Sequence, residues 1–438
     1  MKLRRITTRV AIAGCGALAT VGLVSPAGAA TRHSSHVVNL TWETMWSGAT
    51  LNILNHIVKQ FNATHPGIHV TETSVPSATG DAKLESQIAA GDAPDISTEW
   101  WPVLGEYAAN GEIQSMTPYL KGKYAGLERW MYPIARQGGT YKGKLYAVPM
   151  SMNSWALYYN KSIMASAGIK TPPKTLAQLG ADSAKEWVIK NGRLIQMGLY
   201  PDVDGNGFGF FTSFFGATNC INAAGKYDFA SCPAAKKEMN WIASFAKYPN
   251  AQVNALESAL GTVAGGSDDA FVAGKSGFEL SGPWIGALNI PSTNKGMVGN
   301  FGVVPFPGVV GGPSTIGQGN YNIIPKGAAH PQQAFQFIAW LAGYGNEKFA
   351  ASIDPQGGWV PPSAAVVAAP KYQAWIKANP WLRSFFPQMN SKYSQTPALT
   401  PTESQLQTAE ATATNDVLQK TMTPQQALQY IDSQANVG

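Results

Sequence analysis

Val38, Leu40 and Trp42 alternate with polar neighbours, the period-two pattern of a half-buried strand. Leu54, Ile57, Val58 and Phe61 then recur at helical spacing, so "LNILNHIVKQF" reads as an amphipathic helix packed on that strand. Pro66-Gly67 turns the chain into a second strand, "IHVTETSV", and "AKLESQIAAG" forms a second helix ending at Gly91. "DIST" is a third, short strand, which places Glu99, Trp100 and Trp101 just past its carboxyl end. Strands alternating with helices predict an α/β fold with a parallel sheet. In such sheets ligands sit outside the carboxyl ends of the strands. Adjacent side chains leaving a strand face opposite ways. One of the two tryptophan rings is therefore expected to serve a ligand and the other the fold, with Trp101 favoured for the ligand.

The pattern continues in the same style. "LYAVPM" reads as a strand and "WALYYN" as a second apolar run, and Thr175 caps a helix beginning "LAQLG". "KSGFELSG" is strand-like up to Gly282-Pro283-Trp284, and "NFGVVPFPG" is extended and broken by proline. Pro331 opens an apolar helix, "QQAFQFIAWLAG". Thr423-Pro424 is an N-cap followed by proline at the first helical position. No repeat or low-complexity linker interrupts the chain.

Its 438 residues exceed one ordinary core, so two lobes are expected. Without a linker, the chain is expected to cross between them more than once. Only 13% of residues are charged, against roughly 25% in average chains. With 13 Trp, 16 Tyr and 17 Phe, this composition points to neutral partners, away from phosphate and nucleic acid. The N-terminus reads as an export signal over residues 1–29. Lys2, Arg4, Arg5 and Arg9 precede the uncharged run Val10 to Val24, and Ala27-Gly28-Ala29 supplies a small-x-small cleavage site. Its removal leaves 28 basic and 26 acidic side chains, a net charge of +2. "IAGC" ending at Cys15 resembles a lipobox, but only about five apolar residues separate it from Arg9, short of the ~7–15 of an h-region. The expectation is an extracellular chain freely secreted, with lipid anchoring through Cys15 as the alternative. Cys220 and Cys232 are the other cysteines; in an exported chain they are expected to form a disulfide, the alternative being two buried thiols.

At this point a resemblance emerges. "FNATHPGIHV", "QIAAGDAPDIS", "EYAANGEI", "GKLYAVPMSMNSWALYYNKSIMASAGI", "PPKTLAQL", "FVAGKSGFELSGPW", "NFGVVPFPG", "HPQQAFQFIAWL", "GGWVPPS" and "MTPQQALQYI" follow one another over about 370 residues. In that order the chain resembles an extracellular solute-binding protein of a bacterial ABC importer, from the family that binds sugars and oligosaccharides. The resemblance implies an α/β, two-lobed fold, each lobe a mostly parallel sheet flanked by helices and built from discontinuous segments. Residues 37–151 and 312–350 would form the N-terminal lobe, and 152–311 and 351–438 the C-terminal lobe. The lobes would close on a mono- or oligosaccharide by a hinge motion, and the loaded monomer would dock on membrane permease subunits.

Sugars present apolar C–H faces and a rim of hydroxyls, so aromatic rings with neutral or acidic polar groups suit them. The resemblance marks Glu43 and Trp46 after the first strand, and Glu99, Trp100 and Trp101 after the third. Trp46 equally fits packing under the first helix. Asn153 stands where maltose binders carry an acidic contact; Trp155, nearby, fits either ligand or core. In the second lobe the resemblance marks Phe210 within "GFGFFTSFFG", Trp284 in "SGPW", and Trp359 beside a glycine pair. Gln318 and Asn320 lie on the returning hinge strand. Among these positions are two carboxylates and no Lys or Arg, which points to a neutral ligand.

Two motifs fail on inspection. "DVDGNG" begins an EF-hand-like loop at Asp202–Asn206, but Ser213 stands where its bidentate Glu belongs. "GKS" at 274–276 resembles a P-loop end, but Asp269 replaces the first Gly. No cofactor, metal or catalytic set is expected. A secreted glycoside hydrolase, with Glu43 and Glu99 as its carboxylates, is the alternative; a lectin-like surface protein without a transporter is a third.

Overall fold

The computed structural model describes residues 37–75, 77–201, 207–260 and 269–436. The export signal, Cys15 and the Asp202–Asn206 loop lie outside the described residues. The chain opens with β1 (Val38–Thr44), α1 (Gly48–Thr64), β2 (Ile68–Ser74), α2 (Ser77–Ala90) and β3 (Ile96–Trp100). A single 3-10 turn, Trp101–Val103, leads into α3 (Leu104–Asn110). A short hairpin, β4 (Thr140–Tyr141) and β5 (Lys144–Leu145), precedes β6 (Ala147–Asn153) and β7 (Ala156–Asn160). A second hairpin joins β8 (Val188–Lys190) to β9 (Arg193–Gln196), and β10 (Phe278–Ser281), β11 (Phe301–Val304) and β12 (Gln318–Ile323) follow.

The first sheet has the order β2-β1-β3-β12-β6. β1 pairs in parallel with β2 and β3, as strand–helix alternation predicts. β12 arrives from far along the chain and inserts antiparallel between β3 and β6. A buried chain of hydrogen bonds joins three of these strands. Trp42 Nε1 donates to Thr98 Oγ1 at 2.8 Å, and Thr98 Oγ1 donates to Asn322 Oδ1 at 2.8 Å. The face of α1 that packs on the sheet is Ile53, Leu54, Ile57 and Phe61. Phe337, on the helix Pro331–Leu341, meets Trp42 and Phe61 edge-on, with centroids 5.2 and 4.9 Å away.

The second sheet is β10-β7-β11, and both outer strands run antiparallel to β7. The α/β class holds, but the mostly parallel pairing expected of each sheet is corrected here. β6 continues into β7 with only Ser154 and Trp155 between them. β7 therefore leads away from the first sheet, and β10 and β11 lead back towards it. Ser281 and Val304, at their carboxyl ends, lie opposite Ala156 and Leu157.

The crossing is tied down by side chains. Gln388 Nε2 donates to Ser154 Oγ at 2.6 Å and to the Trp155 carbonyl at 2.7 Å. Thr315 Oγ1 accepts the Trp155 backbone N–H at 2.9 Å. One apolar core draws on residues 40–152 and 321–353 together with Trp359, Val360 and Met389. A second draws on 155–316 and 406–435. Local signals act as read from the chain: Thr175 accepts the Gln178 N–H, and Thr423 forms a capping box with Gln426 after which Pro424 opens the helix. Cys220 and Cys232 are bonded, with Cα atoms 6.0 Å apart. No helix of the described residues is long and apolar enough to cross a membrane.

Candidate functional site

The carboxyl ends of β1, β3 and β6 lie on one edge of the first sheet, beside the start of β12. Asn153 pairs with Gln318 there, and Asn320 with Trp100. β10 and β11 direct their own carboxyl ends to the same crossing. A cavity of about 410 Å³ opens on this edge, within the range of small-molecule sites. The first sheet and α2 line it with Glu43, Thr44, Asp81, Ser97, Glu99 and Trp100. The opposite wall is the helix Glu403–Leu418, through Ser404, Gln407 and Thr408. The lining thus mixes carboxyl, hydroxyl and amide groups with one large ring and the apolar Met45, Val75, Pro102 and Val103.

Glu43 is not free. Lys83 Nζ stands 2.6 Å and Gln87 Nε2 3.0 Å from its Oε1. The expectation that no Lys or Arg stands among these groups is therefore corrected: α2 brings one cation, already committed to Glu43. Glu99 is 6% exposed and accepts the Ser97 hydroxyl. Asp81 lines the same cavity, and its charge acts on Glu99. Burial raises the Glu99 pKa to about 8, the Asp81 charge adds to that rise, and the Ser97 hydrogen bond opposes it. Burial also raises Asp81.

Trp101, Phe210 and Gln318 line a narrower gap against the same helix, Glu403–Leu418, with Thr212, Glu403 and Glu410. Gln407 borders both spaces. Trp101 Nε1 and Gln318 Oε1 are buried there without a hydrogen-bond partner among the described residues. Burial raises Glu403 to about 8 and pushes Glu410 well up.

The two adjacent tryptophans stand in different surroundings. β3 runs through Trp100, so that ring lines the larger cavity. Pro102 then starts the 3-10 turn, and Trp101, 5% exposed, packs into the first core. Trp46 is half-buried against that core and does not line the cavity, whereas Met45 does. Phe210 is 2% exposed, on a helix (Phe208–Phe215) whose every residue is buried. Trp284 is half-buried and contacts Trp155, which contacts Phe210. Trp359 is buried too, and its glycine pair is closely covered by the Trp359 ring and the Trp284 backbone. A Cβ on Gly357 would stand 2.4 Å from the Trp359 ring, and one on Gly358 2.7 Å from Trp284 Cα. The structure therefore brings Glu43, Glu99 and Trp100 together, and Trp101, Phe210 and Gln318 beside them; Trp46 and Trp359 stand apart.

Asp81, Ser97, Ser404, Gln407 and Thr408 were not foreseen. The last three were legible only as a polar i, i+3, i+4 face of a helix whose other face, Leu406, Ala409, Ala413 and Val417, is buried.

The family model for bacterial extracellular solute-binding proteins matches residues 48–348. The chain belongs to that family. Proteins of Brucella abortus and Brucella suis are 31% identical to it over 145 residues, 32% of this chain and only 33% of theirs. The maltotriose-binding protein of Pyrococcus abyssi is 22% identical over 353 residues, 76% of this chain and 68% of that protein. The structure of CpMnBP1 with mannotriose bound superposes with a TM-score of 0.76 at 27% identity, over 91% of this chain and 100% of that one. The two-sheet architecture is thus that of the two-lobed solute-binding proteins, a family of binding proteins rather than enzymes.

Proposed function

We propose that this solute-binding protein captures a neutral mono- or oligosaccharide between its lobes and delivers it to the permease subunits of an ABC importer. Residues 37–151 with 312–350, and 152–311 with 351–438, are the two lobes that close. The export signal over 1–29 takes the chain outside the cell, where it acts as a monomer. The observation that carries the reading is the cavity at the strand ends, where one ring, Trp100, stands among carboxyl, hydroxyl and amide groups. Such a lining offers stacking to a sugar face and hydrogen bonds to its rim. Trp101, Asn153, Phe210, Gln318 and Asn320 extend the site towards the crossing, with Trp284 beside them. The relatives' sugars, maltotriose and mannotriose, define where to begin.

The test is a thermal-shift screen of the full chain against mono- and oligosaccharides, followed by calorimetry. At least one neutral sugar is expected to raise the melting temperature and to remain intact on prolonged incubation. Binding restricted to sugar phosphates or uronates, or the release of new reducing ends, overturns the reading.

A further inference from the structure

A second cavity lies apart from the strand ends and differs from the first in charge. It has a volume of about 370 Å³ and shares no lining residue with the cavity that Trp100 borders. One wall is the stretch from Glu128 to Arg136, which turns from the short helix Leu127–Trp130 into the helix Pro133–Gly138. Ala364 and Asn390 form the other side. The walls are tied together. The Tyr132 N–H donates to the Pro362 carbonyl at 2.8 Å, and Ser363 Oγ donates to the Trp130 carbonyl at 2.6 Å.

From Val37 onwards the chain has four arginines, Arg129, Arg136, Arg193 and Arg383, and the first two line this one cavity. Both are exposed, and neither guanidinium has an ion pair or hydrogen bond among the described residues. Glu128 brings a single carboxyl to the same lining, so the two cations are not balanced. Tyr132, 5% exposed, also lines the cavity, and its hydroxyl is unpaired among the described residues. Burial pushes that hydroxyl up to about 12, so at neutral pH it is a donor. Trp130 completes the set: its ring meets Tyr344 edge-on at 5.4 Å, and its Nε1 is buried without a partner among the described residues. A lone exposed arginine is solvated and calls for no ligand. Two of them on one concave surface, with a buried unpaired donor and a fixed ring, offer a fork for an oxyanion and a face for its body.

We propose that this cavity is a second ligand site, which takes a small organic anion whose carboxylate or phosphate head is held by Arg129 and Arg136 and whose apolar body lies against Trp130. Guanidinium groups pair with such oxygens through two parallel hydrogen bonds. The Tyr132 hydroxyl and the Asn390 amide supply donors for a remaining oxygen. A neutral sugar gains nothing from the two charges. At the strand ends the reverse holds: the one nearby cation, Lys83, is already held by Glu43 at 2.6 Å, and an anion finds no free partner there. The two sites thus sort ligands by charge, and neither requires the other to be filled.

Calorimetric titration of the full chain with phenyl phosphate, benzoate, inorganic phosphate and benzyl alcohol tests this. One-to-one saturable binding is expected for phenyl phosphate, for benzoate or for both, and which of them binds identifies the head. Inorganic phosphate lacks the body and benzyl alcohol lacks the charge, so each is expected to bind at least about tenfold more weakly. Arg129→Ala and Arg136→Ala are each expected to weaken the organic anion by about tenfold or more, and Tyr132→Phe by about threefold. Raised salt is expected to weaken it as well, because both guanidinium groups are exposed. All three variants are expected to keep wild-type affinity for any neutral sugar that the wild type binds. Should Tyr132→Phe melt early, the two exposed arginines still decide. The site is overturned if neither organic anion saturates the chain at millimolar concentration, or if binding survives the double variant Arg129→Ala, Arg136→Ala. It is overturned equally if benzyl alcohol binds as tightly as benzoate, or inorganic phosphate as tightly as phenyl phosphate.

Discussion

Trp284 meets Trp155 edge to face, with ring centroids 5.3 Å apart and planes at 90°. Trp155 in turn meets Phe210 at 4.5 Å, so an aromatic line runs from the half-exposed Trp284 into the second core. Gly282 keeps the approach open: a Cβ there would stand 1.9 Å from the Trp284 ring. Two rings of this line, Trp155 and Trp284, are expected to have different duties. Trp155, 1% exposed, is expected to cost about 3–5 kcal/mol of stability on truncation to Ala. Trp284→Ala is expected to cost about 2 kcal/mol or more of sugar affinity and less than that in stability. Denaturation curves and calorimetry on both variants separate these effects. Equal losses of stability with unchanged affinity would make Trp284 a core residue only.

Trp100 and Trp101 are expected to divide along the same line. Trp100 borders the 410 Å³ cavity and lies opposite Asn320, whereas Trp101 packs in the first core at 5% exposure. Trp100→Ala should lose affinity and melt close to wild type. Trp101→Ala should melt early, by roughly 3 kcal/mol or more in stability. If Trp101→Ala instead keeps its melting temperature and loses binding, the ring serves the ligand through the narrower gap it shares with Gln318.

The contrast between these two rings shows what the chain makes legible. Alternation at Val38, Leu40 and Trp42, followed by helical spacing from Leu54 to Phe61, is local and survives into the fold, because each element buries the face that its own period defines. The address of the site, past the ends of β1 and β3, follows from that order. What decides between Trp100 and Trp101 is a one-residue extension of β3 and the turn at Pro102, below the resolution of a periodicity argument. The far wall was hidden for another reason. Ser404, Gln407 and Thr408 acquire meaning only when their helix is laid against the first sheet, and nothing near them in sequence signals that contact. Lys83 was overlooked similarly, since its partner Glu43 lies on another element. The antiparallel second sheet follows from the short link at Ser154 and Trp155, which sends β7 outward and obliges its neighbours to return.

Cys220 and Cys232 close a short loop ahead of the helix Pro233–Ala243. In the chain-entropy account a loop of this length contributes about 3 kcal/mol. Paired Cys→Ser substitution is expected to lower stability by that order without changing sugar affinity, since neither cysteine borders the cavity. Denaturant unfolding with and without reductant measures it; a reductant-insensitive midpoint in the wild type would show that the bond contributes little.

Glu186 offers a pH prediction independent of the binding site. It is fully buried, and neither carboxyl oxygen has a hydrogen-bond partner among the described residues. A Cβ on Gly277 would stand 1.9 Å from its Oε2, so the backbone is closed over it. Burial, and then the Asp182 charge, raises its pKa to about 9, with Lys185 opposing. The native state therefore binds a proton that the unfolded chain has released above its ordinary value of 4.5. Where the folded state holds more protons, stability falls as pH rises. Glu186 thus subtracts up to about 1.4 kcal/mol per pH unit across the window between those two values. Glu186→Gln keeps the shape, cannot ionise, and should flatten that decline. Urea unfolding at pH 6, 7.5 and 9 is expected to show the variant gaining on the wild type at each step. Parallel declines would mean that Glu186 relaxes towards solvent on ionising, and that the falling stability belongs to Glu238, Glu403 and Glu410 instead, whose carboxyl groups burial also raises.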